Sequence, residues 1–171
     1  MTGAARPTHA PEASLTAVVA HGHRPAAGPR RAAVLARLTR APALWGVVFG
    51  CLQAASPLGF PWLTPSAVHA LGLTLIAAVY VGFSVADGRR TVIVVETGVA
   101  SVFIVIAAVA VTGPVWLIVG GLAGHGLKDL WQHRTGFVAN TRWWPSFCAV
   151  VDLVAATAIA LMTMTHHGFP L

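Results

Sequence analysis

Five apolar runs, each close to the length of a membrane span, follow one another along most of the chain: 42–60, 65–86, 91–112, 114–132 and 145–165. A helix rises ~1.5 Å per residue and the hydrocarbon of a bilayer is ~30 Å thick, so ~20 residues suffice to cross it. The breaks at 57–65, 87–90, 112–114 and 133–145 carry Pro, Gly or charge, and behave as tight connections between antiparallel neighbours. This pattern predicts an all-α integral membrane bundle of about five transmembrane helices over 41–171. The first run is the weakest, because Pro57 and Pro61 interrupt its end, and a re-entrant or interfacial segment is the alternative there.

Composition and charge placement agree with a membrane location. With 56% hydrophobic and 9% charged residues and a mean hydropathy of +0.74, the chain is too apolar for a soluble domain of this length. Residues 1–40 are rich in Ala, Pro, Arg, Gly and His without periodicity, which predicts a disordered basic cytoplasmic tail. The first 30 residues hold no uninterrupted apolar core of a secretory signal. Six of the eleven Lys and Arg residues (Arg6, Arg24, Arg30, Arg31, Arg37 and Arg40) lie in that tail, a topology signal rather than a nucleic-acid surface. With five spans, Arg89-Arg90 and the Arg134/Arg142 loop fall on the same side as the tail, and the opposite loops hold no Lys or Arg. The positive-inside rule then predicts a cytoplasmic N-terminus, with His166 and His167 on the far side. Trp45, Trp131, Trp143 and Trp144 fall at one set of helix ends and Trp62 and Trp116 at the other, as an aromatic belt requires. Cys51 and Cys148 both lie in apolar runs and are expected as packed thiols rather than a disulfide. The preference for Arg over Lys, with abundant Ala, Gly, Val and Pro, suggests a GC-rich bacterial source, so the expected location is a bacterial cytoplasmic (inner) membrane.

Function is sought among polar residues inside the spans. Three of the five acidic residues, Glu96, Asp129 and Asp152, fall there, where an ionised carboxylate costs about 2.5 to 3.5 kcal/mol on insertion scales. Counting ~1.5 Å per residue from the basic end puts His125 and Asp152 ~12 Å deep, Asp129 and Cys148 ~6 Å, Glu96 ~9 Å and Tyr80 ~10 Å. Four spans therefore offer polar groups in one slab. The spacing His125-x-x-x-Asp129-x-x-x-His133 advances only ~40° per step and places all three on one stripe, as Cys148 and Asp152 share one on the last span. His125 and His133 are ~12 Å apart along the axis, too far to share one ion. A divalent metal could instead take His125 with Asp129 or Asp152, Glu96 completing the set. Alternatively, desolvated carboxyls beside a His provide general acid/base chemistry.

Structural readings stand beside these. His125, Asp129 and Asp152 can form a polar clamp between the last two helices. Glu96 can pair with Arg89 or Arg90, Lys128 can snorkel or neutralise a carboxylate, and His133 can sit at the interface. Tyr80 and Cys148 can serve packing alone.

The run Gly124-His125-Gly126-Leu127-Lys128-Asp129-Leu130-Trp131-Gln132-His133, followed by Trp143-Trp144-Pro145-Ser146-Phe147-Cys148 and Asp152, resembles a group of small bacterial integral membrane proteins without an established activity. These pair an HxxxD helix, often ending in His-His, with a C-x-x-x-D helix. Tyr80, Gly82 and Glu96 fit the same pattern, whereas Gln132 stands where the first His of the usual pair would be. The resemblance covers about half the chain and implies a site rather than a chemistry. In style the arrangement also resembles membrane-embedded metal hydrolases of lipid amides and integral-membrane terpene cyclases, with neither family's full motif set present.

The sequence thus points first to a membrane enzyme acting on a lipophilic, lipid or isoprenoid-like substrate. His125, Asp129, Asp152 and Glu96 would be the catalytic groups, and Tyr80, Cys148 and Trp144 the substrate contacts. If a divalent metal is the cofactor, its ligands would be His125, Asp129 and Asp152. Expected partners are membrane lipids and a lipophilic small molecule, with oligomerisation open and no nucleic acid. The alternatives are a proton- or cation-handling transport or accessory subunit, and a structural membrane protein.

Overall fold

Local chemistry fixes where the helices stop. Thr64 caps the second helix by accepting the Ala67 N–H on its hydroxyl at 3.2 Å, with Pro65 supplying the preset backbone angle of a first helical residue. Gly88 (φ +79°) and Gly136 (φ +60°) end the second and fourth helices in left-handed geometry that a residue with a Cβ resists. The computed structural model describes residues 29–139 and 141–168. The expected tail over residues 1–28 and the side chains of His166 and His167 lie outside what is described. Among the described residues there are five α-helices, α1 (Pro29–Ala55), α2 (Pro65–Asp87), α3 (Arg90–Ala110), α4 (Trp116–Thr135) and α5 (Trp144–Gly168), with a 3-10 turn at Ser56–Gly59. No strand occurs among the described residues. α1 begins inside the segment expected to be tail: residues 29–40 are helical, as their Ala, Leu and Arg content favours.

α2, α3 and α5 are long and apolar enough to cross a membrane, with mean hydropathies of 1.9, 2.5 and 2.1. Their outward faces carry large apolar side chains, among them Leu75, Val94, Val102, Val105 and Leu161, all more than half exposed. A water-soluble protein rarely leaves so continuous an apolar surface bare. α4 is the less apolar helix because Lys128, Asp129, His133 and Arg134 fall on it.

That polarity is accommodated by position. α4 packs on α5, α3 and α2 and forms the middle of the bundle, α1 lies on the outside of α5, and α2 pairs with α3. Small residues allow the close approaches. A Cβ on Gly46 or Gly50 of α1 would come within 2.8 Å or 2.7 Å of the Val150 or Val154 Cβ on α5. A Cβ on Gly126 of α4 would meet Leu153 Cγ at 3.1 Å. With Ala54, the α1 glycines form a small-residue seam of the type that joins membrane helices. α3 turns one stripe inward, Val92, Glu96, Ala100, Phe103, Ala107 and Ala110, at helical spacing.

Contact between α1 and α2 is narrow. The seam between α2 and the α1/α5 pair therefore opens into cavities. The end of the bundle bearing Arg89, Arg90, Arg134 and Arg142 is closed by a different device. Asp87 binds Arg89 through two side-chain hydrogen bonds of 2.6 and 2.8 Å and accepts the Ala139 N–H at 2.8 Å. Arg89 also donates to the Phe137 carbonyl at 2.7 Å, tying the α2–α3 turn to the α4–α5 loop. This pairing raises the Arg89 pKa above its ordinary value.

Candidate functional site

The central helix turns His125, Gly126, Asp129 and Gln132 inward, steps of three and four residues that keep them on one face. His125 and Asp129 are fully enclosed. From α5, Asp152 reaches His125: its Oδ2 lies 2.8 Å from His125 Nδ1, and Asp129 Oδ2 lies 3.5 Å from the same nitrogen. One nitrogen and two carboxylates thus converge, with a ligand atom from each within 4.8 Å of the others. Gly126 lets this happen, since any side chain there would press on Asp152 Cβ at 3.3 Å. Aromatic rings hold the imidazole, Phe103 at 4.9 Å and Tyr80 at 5.6 Å between centroids.

A second group sits against the first. Lys128 Nζ is 2.8 Å from Glu96 Oε2, 3.9 Å from Asp129 Oδ1 and 3.3 Å from the centre of the Tyr80 ring. The position over the ring is that of a cation–π contact. Gln132 donates to Glu96 Oε1. Three carboxylate oxygens of the first group, both of Asp129 and Oδ1 of Asp152, are buried without a hydrogen-bond partner. Buried polar atoms are rarely left so.

The structure therefore brings His125, Asp129 and Asp152 together and separates Glu96 from them as the partner of Lys128 and Gln132. Glu96 does not complete the His-Asp-Asp set, because Lys128 stands between. Nor does it pair with Arg89, which is engaged by Asp87. The predicted stripe breaks at its end: His133 is exposed and Gln132 takes the inward place. Two ~40° advances carry residue 133 off the buried face, while a step of three from Asp129 stays on it. Lys128, Gln132 and Phe103 were not selected as site residues by sequence. A lysine on the helix that carries His125 and Asp129, one α-helical turn past Gly124, was the available signal for the first.

A cavity of about 720 Å³ lies beside the site, between α2 and the α1/α5 pair, in the half nearer the basic end. Trp45, Phe49, Leu75, Val79, Trp144 and Cys148 are in its wall, so two of the expected substrate contacts are there. Cys148 is one helical turn before Asp152, and the third expected contact, Tyr80, faces His125 instead. A second cavity of about 760 Å³ opens in the same seam toward the other end, with His69 and Met162 in its wall. Between them Gln53 packs on Gly72 and pinches the seam.

Comparison with protein-family models, with curated proteins and with solved structures gives no match. The chemistry must accordingly be read from the site itself.

Proposed function

We propose that this chain is a membrane-embedded enzyme that acts on a lipophilic molecule, of lipid or isoprenoid type, admitted sideways from the bilayer. In this reading all five helices lie in a bacterial cytoplasmic membrane. The arginine-rich end faces the cytoplasm, as the positive-inside rule favours. The observation that carries the reading is the apolar cavity whose wall includes Cys148, one turn from the buried Asp152. Its size suits a lipid-sized molecule, and its apolar lining with few polar groups at one side is the usual character of a ligand site. His125, Asp129 and Asp152 are the reacting centre, in a water-poor surrounding that strengthens electrostatic effects. Glu96 acts on it through Lys128, and Trp144 and Cys148 guide the substrate.

The direct His125 to Asp152 contact also supports a second reading, a clamp joining α4 to α5. The cavity favours the first. In vesicles, a lipid analogue bearing a chain-terminal diazirine should label Phe49, Leu75, Val79 and Phe147 well above the lipid-facing valines of α3. A Leu75→Trp variant should reduce that labelling at least fivefold. Labelling spread evenly over α3 and the cavity wall would refute lateral admission.

A further inference from the structure

The buried charges do not balance. Glu96, Asp129 and Asp152 bring three carboxylates to the cluster, and Lys128, 2.8 Å from Glu96 and 3.9 Å from Asp129, is the one ammonium paired with them, while His125 lies between the two aspartates. With neutral histidine, two negative charges remain in the middle of an apolar bundle, at a cost of several kcal/mol per ion. Hydrogen bonding compensates little: the Tyr80 hydroxyl is beside Asp129, yet three of the four carboxylate oxygens make no close hydrogen bond in a place from which solvent is excluded. Protonating both acids would remove the charge yet leave oxygens unsatisfied.

We propose that His125 Nδ1, Asp129 and Asp152 bind one divalent transition-metal ion of the zinc type. The ion's charge equals the uncompensated charge, and one ion can satisfy oxygens from both carboxylates at once. The dimensions are near those of a metal shell: ~2.1 Å bonds in a tetrahedron hold ligand atoms ~3.4 Å apart, the two His125 to carboxylate distances are 2.8 and 3.5 Å, and the whole set lies within 4.8 Å, so a small side-chain rotation closes it on one ion. An imidazole among the ligands favours zinc over magnesium or calcium, which prefer oxygen throughout. Three protein ligands leave a coordination position open, as in zinc sites that do chemistry rather than hold a fold. Lys128 and Glu96 form an outer layer, with the ammonium 3.9 Å from Asp129 Oδ1 to orient that carboxylate. The proposal deepens the reading of the same centre and rests on it for the use to which the ion is put. The metal set itself stands on the geometry above.

The full chain, purified in detergent without chelators or a polyhistidine tag, should carry about one zinc per chain by elemental analysis. Its X-ray absorption spectrum should show a nitrogen and oxygen shell with one imidazole and no sulfur. His125→Ala and Asp152→Asn should each lower the zinc content at least tenfold. His69→Gln, outside the set, should not. Should the two variants fail to fold, the wild type decides alone: chelation should lower its melting temperature and added Zn²⁺ should restore it. Zinc below a tenth of an equivalent with no response to added Zn²⁺, or full zinc in folded His125→Ala, would overturn the site. Lipid labelling at the cavity is measured separately, so either reading can fail without the other.

Discussion

A carboxylate enclosed in a bundle of this polarity needs a partner, and the two groups of the site find theirs differently. Glu96 is met by Lys128 at 2.8 Å and by the Gln132 amide N–H, so both of its oxygens face a donor group. Removing one member strands the rest: Glu96→Gln or Lys128→Met alone should cost about 3 kcal/mol of stability, the usual penalty for an orphaned buried charge. The double variant should recover more than half of that loss, as read from unfolding in mixed detergent. Additive losses would mean that the pair is not coupled. The sequence allowed His125, Asp129 and Asp152 to be placed at neighbouring depths because depth depends only on helical rise. Lateral proximity depends on how each helix is rotated, which packing decides. Glu96 shows the limit: it lies at the right depth, but Lys128 takes it out of the His-Asp-Asp set. Gln132 and His133 show it again, adjacent in sequence and on opposite sides of the bundle boundary.

Among the elements, the helices were legible wherever a Pro, Gly or charged break bounded an apolar run. α2 and α3 end within two residues of the expected limits. Other limits differ by three residues or more: α4 runs on to Thr135 rather than 132, where Gly136 takes the left-handed turn, and α5 to Gly168 rather than 165. α1 extends back to Pro29, since helix-forming Ala, Leu and Arg were read by their composition as tail. The role of α1 follows from its glycines rather than its hydropathy. Gly50 faces Val154 so closely that Gly50→Val should push α1 off α5 and cost about 2 kcal/mol. Loss of a disulfide cross-link engineered between the two helices would report the separation. A variant of unchanged stability and cross-linking would show that the approach is not required.

At the scale of the whole molecule, α4, with Lys128, Asp129, His133 and Arg134, occupies the middle, and the more apolar α2, α3 and α5 are the helices long and apolar enough to cross a membrane. The seam between α2 and the α1/α5 pair stays open because α1 touches α2 only narrowly. The cavity wall at Cys148 lies one helical turn from the buried Asp152, which the proposed function reads as a reacting centre beside a lateral entrance. The measurement that bears most directly on this arrangement compares the lipids of bacterial membranes that contain the wild type with those that contain an equal amount of folded Asp152→Asn. The account predicts at least one lipid or isoprenoid species whose amount changes tenfold or more with the wild type and not with the variant. Identical lipid profiles in the two membranes, with both proteins folded, would contradict it.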